Sequence, residues 1–194
     1  KDLGNFELIR TEKVGSVVGG ELTQNALIAL VLGCIGILIY ITIRFEFIYA
    51  LSSVLSLVHD IIIAIGIISF LQLEIDTPFI AAVLTILGYS MNDTIVIFDR
   101  IREMDHKYKG KRDFATIIDE GANNVFLRSV YTSVTTLLAL TALLIFGGES
   151  LKTFNVTLFV GILFGTYSSI WLASPLVYIL RGFKKPPKDK EKTC

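Results

Sequence analysis

Apolar residues in this chain come in long blocks rather than in stripes. Five blocks are long enough to cross a bilayer, at about residues 26–43, 47–73, 78–98, 129–146 and 154–180. A hydrocarbon core ~30 Å thick takes roughly 20 apolar residues per helical crossing, and stretches of 18 or more with few charges mark such helices. The second and fifth are long enough to tilt. Short turns such as Glu74-Ile75-Asp76-Thr77-Pro78 and Gly147-Gly148-Glu149-Ser150 join them, and one longer connection, residues 99–126, breaks the series. A core helix of a large soluble protein can imitate one block, but five in 194 residues leave almost no polar sequence to cover them. The pattern predicts an all-α polytopic membrane protein whose transmembrane domain covers residues 25–183.

The flanks read differently. Residues 1–24 are mostly polar; Phe6-Glu7-Leu8-Ile9-Arg10 alternates as a strand does, and Gly15, Gly19 and Gly20 make a flexible lead-in. This stretch reads as the remnant of an external α+β domain. Residues 184–194 form a basic tail. Within the long connection, Phe114, Ile117, Ile118, Val125 and Phe126 fall near helical spacing, with Asp119 and Glu120 on another face. Two readings fit, an amphipathic helix lying at the membrane interface and a solvated helix hairpin that only joins two spans.

Composition supports the bilayer as solvent. Hydrophobic residues make up 53% and charged ones 19%, with a mean hydropathy of +0.65, against about 45–50% and about 25% in soluble proteins. The balance of 18 basic and 18 acidic residues and a pI near 6.9 argue against a nucleic-acid partner. Position along the chain says more. Arg44, the long connection, Arg128, Arg181 and the tail hold 14 of the 18 Lys and Arg residues, leaving Lys1, Arg10, Lys13 and Lys152 for the other side. Cytoplasmic loops are enriched in Lys and Arg, so the C-terminus is expected in the cytoplasm and the N-terminus, five crossings away, outside. No signal-peptide pattern opens the chain, and an external N-terminus then suggests a portion of a longer protein, with a further helix and an external domain upstream. Cys34 lies within a span and Cys194 ends the tail, so a disulfide between them is not expected. With two histidines and no His/Cys cluster, no metal site is expected, and no catalytic or nucleotide-binding motif points to an enzyme.

Charged residues at membrane depth cost several kcal/mol and mark ion pathways, proton relays or internal pairs. Three stand out: Asp60 in Leu57-Val58-His59-Asp60-Ile61-Ile62, Asp93 in Gly88-Tyr89-Ser90-Met91-Asn92-Asp93-Thr94, and Arg128 at the start of the fourth span. At ~1.5 Å rise per residue, Asp93 lies roughly 9 Å inside the cytoplasmic boundary and Asp60 roughly 20 Å inside. Arg128 lies at a depth comparable to Asp93, so an Asp93–Arg128 pair across adjacent helices would offset the burial. Arg128, Thr132 and Thr135 follow one helical face, with Ser129, Tyr131, Ser133 and Thr136 nearby; Tyr89 lies one turn from Asp93, and Gly88 allows close approach. A hydroxyl-lined face of this kind can hold the water that a proton path requires. Bland readings stand beside this one: a salt bridge that only fixes helix register, a local His59–Asp60 hydrogen bond, and a Gly161–Gly165–Ser169 stripe that serves helix packing.

The run from Gly88 to Glu103, together with Leu57-Val58-His59-Asp60, Arg44-Phe45-Glu46 and Thr132-Ser133-Val134-Thr135-Thr136-Leu137 leading to Phe146-Gly147-Gly148, resembles the SecF side of the SecD/SecF family of bacterial protein-export membrane proteins. The resemblance covers about residues 14–183. It implies a half-bundle of the resistance-nodulation-division type, represented here by five of its six helices, in the bacterial cytoplasmic (inner) membrane. It further implies a non-enzymatic subunit that uses the proton-motive force to assist preprotein translocation, with protons as the coupling ion and no other cofactor. Its partners would be a SecD-like subunit, separate or fused in one chain, a SecYEG-type channel and the preprotein. The motif implies that Asp93 is the acid of proton passage and Arg128 its basic partner; Thr132 joins the hydroxyl network, and Asp60 belongs to a His-Asp motif of less defined role. The alternative is half of a proton-coupled small-molecule or lipid exporter of the same superfamily.

Overall fold

The computed structural model describes residues 16–108 and 111–181, so the expected strand at residues 6–10, Gly15, the basic tail and Cys194 lie outside the described residues. The helices are α1 (Ser16–Arg44), α2 (Phe47–Phe70), α3 (Thr77–Tyr108), α4 (Phe114–Phe146), α5 (Lys152–Ser168) and α6 (Ser174–Leu180). A 3-10 turn, Glu149–Leu151, leads into α5, and a π turn, Ser169–Ala173, links α5 to α6 so that the three run as one span. Among the described residues, five segments are long and apolar enough to cross a membrane.

Each boundary has a local cause. Helix α2 ends three residues before the apolar block does, because Gln72 turns into the left-handed region at φ 54°. The Gln72 N–H then donates to the Ser69 carbonyl (3.1 Å) and the Leu73 N–H to the Ile68 carbonyl (3.2 Å). This is the Schellman arrangement, usually built on glycine. Asp76 starts α3 by accepting the Phe79 N–H at 2.8 Å, the usual work of an N-cap acid. At the other end of the chain, Pro175 lacks an N–H and so interrupts the helical ladder beside the π turn.

Two expectations need correction. Residues 16–24 are helical, including Gly19 and Gly20: extending an existing helix is far easier than nucleating one, and this outweighs a glycine cost of about 1 kcal/mol each. The long connection is also mostly helical. Helix α3 runs ten residues past Phe98, and α4 begins at Phe114, leaving only residues 109–113 between them. Ile117, Ile118, Ile101 and Met104 bury one another there, and a Cβ on Gly121 would stand 2.8 Å from Ile101 Cγ1. The helix hairpin, rather than a separate interfacial helix, is therefore what the sequence forms.

Helices α2, α3 and α5 make the packed centre, while α1 and α4 leave most of their apolar surface uncovered. In water such surface would be untenable; in lipid it is solvated. The basic end is tied by polar contacts. Arg102 donates to the last carbonyl of α1, that of Arg44 (2.8 Å), and Arg181 pairs with Asp105 at 2.9 Å while lying 4.3 Å from the Phe114 ring centroid. These contacts hold α1, α3, α4 and α6 in register at one end of the bundle.

Candidate functional site

Helices α3 and α5 meet along a four-residue register. On α5 and the first residue of the π turn the positions are Gly161, Gly165 and Ser169, and on α3 they are Ile86, Ser90 and Thr94. A Cβ on Gly161 would overlap Ile86, and one on Gly165 would lie 3.2 Å from the Ser90 Cβ. Thr94 donates to Ser169 Oγ at 2.9 Å, and Ser169 donates to the Ser90 carbonyl at 3.2 Å. The stripe serves helix packing, as small residues do where no water drives association, and it also brings hydroxyls into the contact.

Asp60 sits at the centre of this contact and is fully enclosed. Its Oδ2 accepts hydrogen bonds from Ser90 Oγ on α3 (2.9 Å) and Ser168 Oγ at the end of α5 (2.7 Å). Its Oδ1 lies 3.1 Å from Nδ1 of the half-exposed His59. The local His59–Asp60 bond expected from sequence is present. The depth expected for Asp60 needs revision: bonding to Ser90 sets it three residues, about 4.5 Å along α3, from Asp93, where counting from the ends of the apolar blocks placed them much further apart. The count failed because α3 continues ten residues past its apolar block while α2 begins where its block does, so the two block ends are not at one level.

Asp93 lies on the α4 side of α3 and is buried. Ser129 of α4 is beside it, with its hydroxyl making no completed hydrogen bond. Arg128 is exposed, and its field acts on Asp93, but the two do not come within ion-pair distance. The closed pair suggested by matching depths is therefore not what this structure contains. Ser129 takes the inward position, and Arg128, one residue and about 100° earlier on the helix, turns outward.

The hydroxyl face of α4 divides in the same way. Ser129 and Ser133 point inward, Ser133 meeting Thr166 of α5, whereas Thr135 is exposed and bonds to its own helix. Thr132 is half-buried; its hydroxyl donates back to the Ser129 carbonyl (2.9 Å) and does not reach Asp93. Its carbonyl accepts the Tyr89 hydroxyl at 3.0 Å, which also meets Thr136 Oγ1 at 3.0 Å. Gly88 faces open space, so it provides no close approach within this bundle. Sequence reasoning missed Ser168, which is one of many serines in an apolar block and gains meaning only when α5 packs on α2. Among the described residues, no group of His, Cys, Asp and Glu is placed to hold a metal ion.

Two acids at membrane depth, one fully bonded within the bundle and one facing a neighbouring arginine, set the context for the comparisons. The family model described as Protein export membrane protein SecD/SecF, C-terminal, matches residues 1–182. The chain belongs to the SecD/SecF family. It is 74% identical to the protein translocase subunit SecF of Sebaldella termitidis over 188 residues, covering 97% of this chain and 61% of that protein. It is also 44% identical to SecF of Pseudomonas aeruginosa, covering 98% of this chain and 63% of that protein. The chain thus spans about three fifths of the length of these SecF relatives. Among solved structures it resembles SecDF of Thermus thermophilus, described as a translocon-associated membrane protein, with a TM-score of 0.81, 43% identity, and coverage of 87% of this chain and 23% of that one. The super-membrane-facing form of SecDF gives a TM-score of 0.77 at 41% identity, covering 87% of this chain and 22% of that one. The SecD/SecF membership and the five apolar helices together make this a multi-pass membrane protein of SecF type.

Proposed function

We propose that the chain is the membrane part of a SecF subunit that uses the proton-motive force to assist preprotein translocation across the bacterial cytoplasmic membrane. The observation that carries this reading is Asp93, a buried carboxylate in an apolar bundle, next to a helix that carries an arginine not yet paired with it. A carboxylate tends to shed its proton when a guanidinium approaches and to take one up when the guanidinium withdraws. A shift or rotation of α4 against α3 would therefore convert proton movement into helix movement. Such an element does no covalent chemistry, and the subunit acts as a coupler rather than an enzyme.

The 14-to-4 division of basic residues supports a cytoplasmic C-terminus and an external N-terminus. The relatives' names support a SecD-like partner and, beyond it, a SecYEG-type channel and preprotein substrates. Arg128 and Gly88, both outward-facing, suit a second half-bundle completing the Asp93 pathway. No observation favours the exporter of small molecules or lipids. Replacing Asp93 by Asn in the full-length subunit, reconstituted with its SecD partner and the translocation channel, tests the assignment. The complex should assemble while the proton-motive-force-dependent stimulation of export is lost. Stimulation equal to that of the unaltered protein would remove Asp93 from the mechanism.

A further inference from the structure

The proton-coupled reading uses Asp93 and leaves Asp60 without a task, although Asp60 is the more completely enclosed of the two acids. Its surroundings are unusually specific. Oδ2 takes hydroxyls from two different helices, and Oδ1 faces an imidazole that is itself half-exposed at the side of α2. Across the helices packed on α2, the charged or titratable group acting on Asp60 is His59; α3 contributes Ser90, α5 contributes Ser168, and Asp93 is turned to α4. An amide or a water could also accept from Ser90 and Ser168, so those two bonds alone do not call for a carboxylate; the contact with an imidazole at Oδ1 does. A His–Asp pair, by contrast, gives a buried oxygen a proton connection to the outside of the bundle.

We propose that His59 and Asp60 form a second proton-holding site, about one turn of α3 from Asp93 and bonded to different helices, whose occupancy α5 reads through Ser168. The proposal rests on the proton-coupled reading above and extends it. A proton binds His59 Nε2, the Nδ1 proton moves to Asp60 Oδ1, and the pair is left as neutral Nε2–H imidazole hydrogen-bonded to a carboxylic acid. Oδ2 then changes from a carboxylate oxygen to a carbonyl oxygen, a weaker acceptor, since bonds to ionised groups are roughly twice as strong as neutral ones. Ser168 has an alternative at hand, because its hydroxyl also lies 3.1 Å from the Gly165 carbonyl of its own helix. On protonation it turns from α2 back to α5 and loosens the link between them. The point of release is the first residue before the π turn Ser169–Ala173, a type of irregularity that recurs at functional sites and that gives α5 room to change register.

Infrared difference spectroscopy during a pH titration of the full-length subunit with its SecD partner in nanodiscs tests the site. A carboxylic C=O stretch should be present that Asp60→Asn removes and Asp93→Asn leaves in place. Ser168→Ala keeps the acid and removes one donor to Oδ2, so it should move that band to higher wavenumber. It also covers the case in which Asp60→Asn fails to fold. A band lost equally in Asp93→Asn, a titration in which no Asp60 band develops, or a band indifferent to Ser168→Ala would each overturn the proposal. Normal export by Asp93→Asn would instead count against the function proposed above, and the Asp60 band would still decide this site.

Discussion

Gly161 offers a test of how closely α3 and α5 are packed. A Cβ at Gly161 would overlap Cδ1 and Cγ1 of Ile86 and lie 3.0 Å from its Cγ2, so the whole side chain stands in the way rather than one flexible end. Ile86 is itself fully buried and cannot swing clear. Gly66, within α2, is the internal control, since nothing lies within 4 Å of its added Cβ. Both Gly→Ala changes gain the same helix propensity, about 1 kcal/mol, so the difference between them isolates the packing term. Inserting a methyl group into a filled core costs about 1–3 kcal/mol, and Gly161→Ala should be less stable than Gly66→Ala by that amount. The added Ile86→Ala change removes all three clashing carbons. Alone it costs about 2–5 kcal/mol through the cavity it leaves; combined with Gly161→Ala the loss should be less than the sum, with a coupling of about 0.5–3 kcal/mol. Thermal unfolding of the detergent-solubilised full-length complex, followed by fluorescence-detected size exclusion, reads these differences. Equal midpoints for Gly161→Ala and Gly66→Ala, or strict additivity in the double variant, would refute the register Ile86–Gly161, Ser90–Gly165, Thr94–Ser169.

Two further changes probe the contacts of α4. Tyr89→Phe removes a hydroxyl that meets both the Thr132 carbonyl and Thr136 Oγ1, and should cost about 1 kcal/mol in the same unfolding assay; no change would mean that the bridge is idle. Gly121→Ala places a methyl group 2.8 Å from Ile101 Cγ1 and 3.3 Å from its backbone Cα, which cannot yield as a side-chain tip can, so it should destabilise the hairpin by about 1–3 kcal/mol and speed hydrogen exchange across residues 99–126. Unchanged exchange there would show that the helices do not approach so closely.

How much of this was legible in the sequence depended on whether the signal was local. The five spans were visible because lipid demands unbroken apolar length, and Asp60, Asp93 and Arg128 were visible because charges interrupt it. The end of α2 was not, since its left-handed turn falls on Gln72 where glycine is the usual sign. The helical hairpin was half-visible: the spacing of Phe114, Ile117 and Ile118 showed an amphipathic helix, but its partner face, Ile101 and Met104, lay beyond a break in hydropathy and only packing joins them. Arg128 illustrates the sharpest limit. Depth counting is insensitive to rotation about the helix axis, and one residue, about 100°, separates a side chain that faces Asp93 from one that faces away.

The contrast between the two acids follows from where each lies in the bundle. Asp60 is satisfied wholly from within: both oxygens have partners, and all of them belong to α2, α3 and α5, the helices that bury one another. Asp93 looks toward α4, the helix with more exposed surface, where one neighbour is an unbonded serine and the other an arginine turned outward. A buried carboxylate is costly unless donors or an opposite charge meet it, and the groups placed to do so for Asp93, Ser129 and Arg128, both belong to α4. The state of Asp93 therefore depends on the position of α4, whereas the state of Asp60 depends on α5. Two acids one helical turn apart in depth would then report to different helices, an arrangement by which one half-bundle could take up and release protons in separate steps.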